Sequence, residues 1–107
     1  MHGYGYTAPT GKAVSLLGFK FAGPWLRPAL TAKRILETDA QASTVTVMID
    51  SYNEMLKSLN EAYPLFHHID LRPIIDANND WANELHLKNS AYARAADRIS
   101  EAIVEIG

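Results

Sequence analysis

Apolar side chains recur at steps of three and four positions between residues 44 and 63. They form one stripe, and polar residues occupy the opposite side, which predicts an amphipathic helix over 44–63. Ser43 or Thr44 is expected to cap its first turn, and Pro64 to end it. The stripe consists of Val45, Met48, Ile49, Tyr52, Met55, Leu56, Leu59 and Tyr63.

Two further helices are predicted on either side of this one. The first covers residues 25–38. Pro28 suits its first turn, because N–H groups there have no partner within the helix and the one that proline lacks is no loss. The second covers 89–106, with Asn89 or Ser90 as its cap. Its apolar stripe is Tyr92, Ala95, Ala96, Ile99, Ala102, Ile103 and Ile106.

The segments between these helices predict little sheet. Residues 65–71 follow a terminated helix and predict a strand that ends near Pro73. Residues 72–88 predict a polar loop, and the glycines and prolines of 1–24 predict the end of a strand followed by a long connection. The fold class is therefore α/β, helix-rich with one or two strands. Because so few strands are not stable alone, the pattern favours one partial domain of a larger α/β protein, or a chain that borrows strands from a partner.

The composition of the chain argues against several classes of function. The chain has no cysteine, which excludes disulfides, thiolate metal sites and cysteine nucleophiles. Its formal net charge of −2 gives no basic face for nucleic acid. The apolar run from Ala13 to Trp25 is interrupted by Lys20 and is shorter than the roughly 20 residues of a membrane span. We therefore expect no nucleic-acid or membrane partner, and a cytoplasmic location.

His86 is the residue best placed for chemistry. It lies in the predicted loop after the 65–71 strand and before the last helix, where catalytic groups of doubly wound folds gather. A histidine there could take the proton of a nucleophilic serine, with a neighbouring group fixing its tautomer. On spacing alone, an ordinary surface histidine is the commoner explanation.

The segment around His86 resembles a known family. Asp80-Trp81-Ala82-Asn83-Glu84-Leu85-His86, followed by Lys88-Asn89-Ser90-Ala91-Tyr92, is similar to the closing block of the SGNH (GDSL-like) serine ester hydrolases. His2-Gly3-Tyr4 with Pro9 and the segment 68–72 resemble further stretches of a bacterial branch. The resemblance implies the C-terminal part of a flavodoxin-like three-layer α/β/α fold, hydrolysis of carboxylic esters, and no cofactor.

The resemblance also implies roles for individual residues. His86 matches the catalytic base, and Asn83 stands where the family usually has an aspartate. Glu84 and Asp80 are the alternatives for orienting His86. His2 and Tyr4 are expected to line the mouth of the substrate pocket. Trp81 is the third substrate-side candidate, for packing on an acyl or sugar group, although anchoring the loop on the final helix is the more common role for such a residue.

The family's Gly-Asp-Ser nucleophile block does not occur in these 107 residues. Ser15 is the one serine in a predicted loop with apolar neighbours, but it lacks that setting. The implied partners are a small-molecule ester in the intact enzyme and a strand-pairing partner or a second copy of the chain.

Two other functions stay open at this stage. The chain could be a truncated or degenerate relative that acts as a non-enzymatic interaction module. It could also be a metal-dependent hydrolase using His67 or His68, Asp70 and His86, since imidazole and carboxylate suit zinc. Adjacent strand residues point to opposite faces, however, so His67 and His68 would not reach one ion together.

Overall fold

The computed structural model describes residues 1–17 and 19–107, without the side chains of Leu16 and Phe21. Gly18, which falls in the predicted connection 1–24, lies outside the described residues. Over the described ranges the chain forms three helices and one two-stranded antiparallel sheet, compatible with an α/β class. The elements are β1 (Val14–Leu16), β2 (Phe19–Ala22), α1 (Leu26–Ala32), α2 (Thr38–Ala62) and α3 (Asn89–Ile106).

The helices follow the predictions with two corrections at their ends. Helix α2 begins at Thr38 rather than near Thr44. Thr44 is not a cap, because it lies inside the helix and its hydroxyl donates to the Ala40 carbonyl at 2.7 Å. Helix α1 ends at Ala32, short of residue 38. There Arg34 has φ +61°, Ile35 N–H bonds the Leu30 carbonyl and Arg34 N–H bonds the Thr31 carbonyl. This pattern is a Schellman motif, which ends a helix through one left-handed residue.

The predicted strand 65–71 is wrong as a continuous element. It makes one parallel bridge, His2 with Ile69, through Gly3 N–H to the Ile69 carbonyl and Ile69 N–H to the Met1 carbonyl, each 2.9 Å. Side chains take the backbone donors on either side: His68 N–H bonds Asn60 Oδ1 at 2.7 Å, and Arg72 N–H bonds Asp70 Oδ1 at 3.0 Å. Those N–H groups bond side chains rather than another strand, and the bridge between His2 and Ile69 stays isolated.

The predicted long connection contains the only regular strands of the described ranges. Strands β1 and β2 pair in antiparallel register, with Ser15 opposite Lys20 and a register shift between Val14 and Ser15. Phe19, exposed on β2, lies on this hairpin rather than in a buried sheet. The hairpin and the bridge between His2 and Ile69 are therefore separate, and they do not form one sheet.

The core consists of two apolar clusters. One joins α3 to the segment 69–81, and the other joins α1 to α2 through Leu30, Val45 and Ile49. Several apolar side chains of α2 and α3 stay exposed: Val47, Met48, Met55, Ile103, Val104 and Ile106. The Cα radius of gyration is 15.6 Å, against about 13 Å for a compact domain of this length. The predicted stripes are thus only partly covered.

Residues 1–7 connect the two clusters. The buried Asn53 of α2 donates to the Tyr4 carbonyl at 3.0 Å and lies 3.1 Å from His68 Nε2. A Cβ on Gly3 would come within 1.9 Å of Asn53 Oδ1, and one on Gly5 within 2.5 Å of Ile75 Cβ. Glycine at both positions lets the backbone run against side chains of α2 and of the 69–81 segment.

Candidate functional site

The loop 80–88 that carries His86 is closed by its own backbone. Lys88 N–H bonds the Asp80 carbonyl at 2.8 Å, and Ala82 N–H bonds the His86 carbonyl at 2.8 Å. Between them, Trp81 and Leu87 form an isolated antiparallel bridge. The loop is a tight turn with an exposed imidazole on it, and helix α3 starts directly after it.

Asn83 both shapes this turn and contacts His86. Its Oδ1 accepts the N–H groups of Leu85 and His86, each at 3.0 Å, which is an Asx-type turn. The same oxygen lies 3.0 Å from His86 Nδ1. Because Oδ1 is an acceptor only, Nδ1 must carry the proton for this bond. In that tautomer Nε2 presents its lone pair, and no protein group within the described ranges bonds to it.

Glu84, the second candidate for orienting His86, is bound elsewhere. It is fully buried, with 0% of its surface exposed. Its Oε1 accepts Gly11 N–H at 2.9 Å and Arg27 N–H at 3.0 Å. Its Oε2 accepts Trp25 N–H at 2.6 Å and Leu26 N–H at 2.7 Å. The carboxylate therefore holds the start of α1 rather than the imidazole.

Asp80, the third candidate, is also engaged elsewhere. Its Oδ2 forms an ion pair with Arg94 of α3 and accepts Asp76 N–H at 2.7 Å. The hydrogen bond from Arg94 is the main reason that the pKa of Asp80 lies below its usual value, with the Asp76 N–H adding to it. Of the three candidates, Asn83 is the one that bonds the His86 ring.

Trp25 belongs to the surroundings of His86 and was missed by sequence reasoning. Its indole meets the imidazole edge to face, with ring centroids 5.8 Å apart and planes inclined by 62°. Such pairs are favourable because the edge of one ring faces the electron-rich face of the other. No spacing rule connects positions 25 and 86, so no sequence signal pointed to the contact.

The three predicted substrate-side residues meet at one small pocket of about 100 Å³, although His86 does not line it. Its walls comprise His2, Gly3, Tyr4, Gly5, Leu71, Ile75, Trp81, Leu85, Leu87 and Tyr92. Leu85 and Leu87, the neighbours of His86 in sequence, both line this pocket. Trp81 is mostly buried and donates its indole N–H to the Tyr6 carbonyl at 2.7 Å. Its larger role is to anchor the loop.

A second, larger pocket of about 270 Å³ borders the same loop. It is almost entirely apolar, and it shares Tyr4 and Leu85 with the first pocket. Its remaining walls come from Thr7, Leu26, Val45, Met48, Ile49, Tyr52 and Glu84. Through Leu85, the loop 80–88 therefore borders both pockets.

The residues of the metal hypothesis do not come together in this structure. Within the part of the chain that the structure describes, no three His, Cys, Asp or Glu side chains are grouped to hold an ion. His68 Nε2 bonds Asn53, and Asp70 is held by Arg72. His67, His68, Asp70 and His86 therefore do not form a common site.

Ser15 lies on β1 with an exposed side chain, not in the loop that the sequence predicted. No hydrogen bond joins His86 to a serine among residues 1–17 and 19–107.

Across the same ranges, no helix combines the length and the apolar character that crossing a bilayer requires. No family model, curated protein or solved structure matches the chain.

Proposed function

We propose that this chain is the C-terminal part of an SGNH-type serine ester hydrolase in which His86 is the general base. The observation that carries the proposal is the bond between His86 Nδ1 and Asn83 Oδ1 at 3.0 Å. It fixes the tautomer in which Nε2 is ready to accept a proton, which is the arrangement a base beside a serine needs. The sequence resemblance over residues 80–92 supports it.

In the proposed reaction, a serine from a segment outside these residues attacks the ester carbonyl. His86 Nε2 takes the hydroxyl proton and then delivers it to the leaving alcohol. Water next attacks the acyl-enzyme, with His86 again removing and returning one proton. Asn83 holds Nδ1–H throughout, but as a neutral group it does not stabilise the imidazolium by charge. The fold proposed with this reaction is the three-layer α/β/α arrangement of the family, in a cytoplasmic enzyme.

The experiment begins with the reading frame that encodes the chain. The proposal requires a Gly-Asp-Ser block upstream, and a frame without one would refute it. If the block is present, the protein encoded by that frame is assayed on short p-nitrophenyl esters. His86→Ala should abolish turnover, whereas the matched control His67→Ala, at a partly exposed position away from the site, should leave it unchanged.

A second function is favoured by the exposed apolar side chains. Ile103 of α3 is 64% exposed and Met48 of α2 is 59% exposed. Patches of this kind mark interaction surfaces when they are contiguous. A non-enzymatic module would use them to pair with a strand-bearing partner or with a second copy of the chain.

The interaction module predicts association of the purified 107-residue chain, whereas the hydrolase proposal predicts activity only in the protein that includes the serine segment. An interaction module has no ester hydrolysis that depends on His86, and it associates through α2 and α3. Hydrolysis of p-nitrophenyl esters by the purified chain, lost in His86→Ala, would rule out the module. A monodisperse monomer by analytical ultracentrifugation would rule out pairing between copies.

A further inference from the structure

The Glu84 carboxylate accepts hydrogen bonds from four backbone N–H groups, at 2.6 to 3.0 Å. Each oxygen takes two of them, which fills the lone pairs that a carboxylate oxygen offers in its plane. A carboxylate without partners would be strongly disfavoured at a fully buried position, so these four bonds are what make the burial tolerable. Such a saturated site binds chain segments rather than substrate.

The four donors come from two separate segments. Gly11 belongs to the connection before β1, whereas Trp25, Leu26 and Arg27 lie at the start of α1. Glu84 therefore ties the His86 loop to both. Thr7 adds a further bond, from its hydroxyl to the Glu84 carbonyl at 3.1 Å. The loop is held at its centre, two residues before the imidazole.

One of these donors belongs to the residue that packs on His86. Trp25 gives its N–H to Glu84 Oε2 at 2.6 Å, the shortest of the four bonds, and its indole lies edge to face with the imidazole. Glu84 thus fixes the backbone on both sides of the Trp25–His86 contact. Removing its carboxylate frees the indole and the imidazole together.

We propose that Glu84 is a positioning residue for His86. Its carboxylate seats Trp25 against the imidazole and thereby keeps the ring in the tautomer that bonds Asn83. The value of this arrangement for catalysis rests on the proposed hydrolase function, but the arrangement itself is a property of this chain. It is therefore tested without an ester substrate.

The test compares the wild-type chain with Glu84→Gln by nuclear magnetic resonance at a pH where the imidazole is neutral. Glutamine keeps the shape, but its amide NH₂ points donors at backbone donors, so two of the four bonds are lost. Long-range ¹H–¹⁵N correlations report the tautomer, and ring-to-ring nuclear Overhauser effects report the Trp25 contact. Thr7→Val is the matched control, because it removes the bond to the Glu84 carbonyl without touching the carboxylate.

In the wild type and in Thr7→Val, the Nδ1–H tautomer should dominate by roughly the fivefold excess that one hydrogen bond supplies. In Glu84→Gln the population should move towards an even mixture, and the Trp25–His86 Overhauser effects should disappear. A folded Glu84→Gln variant with wild-type tautomer and Overhauser effects would overturn the proposal. Absence of ester hydrolysis by the protein that includes the serine segment, with this coupling intact, would instead refute only the proposed function.

If Glu84→Gln does not fold, hydrogen exchange of the wild type decides the question. The proposal requires the amides of Gly11 and residues 25–27 to open in one event with those of Ala82 and Lys88, which close the His86 loop. Equal opening free energies for the two sets support it. Exchange of the loop amides at a lower opening free energy than the Glu84-bound amides would overturn it.

Discussion

The guanidinium of Arg72 holds the carboxylate of Asp70 through two parallel bonds, Nε to Oδ1 at 2.9 Å and Nη2 to Oδ2 at 2.7 Å. Nη1 reaches Asp50 of α2 at 2.9 Å, and the Tyr6 hydroxyl donates to the same Asp50 oxygen at 2.6 Å. One side chain thus joins the segment after Ile69 to α2, and Asp50 links both to residues 1–7. The bond to Arg72 is the main cause that lowers the pKa of Asp70, while the Tyr6 hydroxyl and then Arg72 lower that of Asp50.

Removing this guanidinium should lower the stability of the fold at pH 7. It should also make that stability less sensitive to acid. Arg72→Met is expected to lower the free energy of unfolding at pH 7 by about 1–2 kcal/mol, since charge-assisted bonds are lost in a half-buried place. Both carboxyl pKa values are depressed in the folded state, so their contribution is present above about pH 4 and is lost as the pH falls through the folded values. Urea unfolding at pH 7 and pH 3 measures this.

The control is Arg98→Met, because Arg98 faces Glu105 at 3.8 Å on the helix surface. It should change stability little at either pH. If Arg72→Met lost as much stability between pH 7 and pH 3 as the wild type does, the carboxyl pKa values would not depend on Arg72.

His68 should make folding sensitive to pH near neutrality. Partial burial is the main cause that lowers its pKa, and Arg72 and the N-terminus act in the same direction, against Asp70 and Glu54. The unfolded chain takes up a proton at about pH 6.5, where the folded state does not. Stability is therefore full above that pH and falls as the pH drops from about 6.5 towards the lower folded value.

Urea titrations between pH 8 and pH 5 check this prediction. His68→Gln keeps a donor for Asn53 and should flatten the profile in this window. His67→Gln, the adjacent control, should leave it as in the wild type. Equal wild-type stability at pH 7.5 and pH 5.5 would contradict the expectation.

Gly3→Ala should be costly although it adds only one methyl group. Its Cβ would lie 1.9 Å from Asn53 Oδ1 and 2.8 Å from Asn53 Cγ, so Asn53 or the backbone must move. Overpacking of this kind costs about 1–3 kcal/mol, and displacing Asn53 also disturbs its bond to the Tyr4 carbonyl. Thermal and urea unfolding measure the loss, and Gly107→Ala, with its nearest contact at 3.3 Å, should be neutral.

Asn83→Asp should be accepted by the fold and should favour the proposed reaction. The Oδ1 atom accepts the same three bonds in either residue, and no protein group in the described ranges bonds the Asn83 Nδ2 that aspartate would replace. In a trypsin-like protease the opposite change costs about ten-thousandfold in turnover. In the protein that includes the serine segment, we expect Asn83→Asp to raise kcat by roughly tenfold or more, with KM unchanged.

The control for that change is Asn78→Asp, at an exposed position just before the loop 80–88, where the backbone N–H of residue 78 bonds Asp76. It should leave kcat as in the wild type. Equal kcat for wild type and Asn83→Asp would mean that the imidazolium gains nothing from a charge at position 83.

Local patterns predicted the helices well because helical bonds and stripes are local. Helix α3 lies at residues 89–106 as predicted, although Lys88 rather than Asn89 or Ser90 is its N-cap and no side chain caps it. The strand prediction at 65–71 was wrong because a strand depends on a partner far away in sequence, and residues 1–3 pair with this segment only at the bridge between His2 and Ile69. The start of α2 at Thr38 was missed, since residues 38–43 add helix without adding to the apolar stripe.

The candidate site also has a local part that the sequence can suggest and a long-range part that it cannot. Asn83 lies three residues before His86, so the contact between them is a local turn that spacing can suggest. The part played by Glu84 depends on Gly11 and Trp25, which are 73 and 59 positions away in sequence. An acidic residue in a polar loop gives no sign that it will be fully buried. Only the folded chain brings those backbone donors to it.

The bridge between His2 and Ile69 has a consequence for biosynthesis. His2 finds its bridge partner only after Ile69 has been made, and Thr7 its acceptor only after Glu84 has been made. At a synthesis rate of about 5–20 residues per second, these residues wait several seconds for them. Helix α2 can form in that interval from local contacts, and Tyr4 and Tyr6 can bond to it through Asn53 and Asp50. The contacts of His2 and Thr7 therefore form last at this end of the chain, although these two residues are synthesised early.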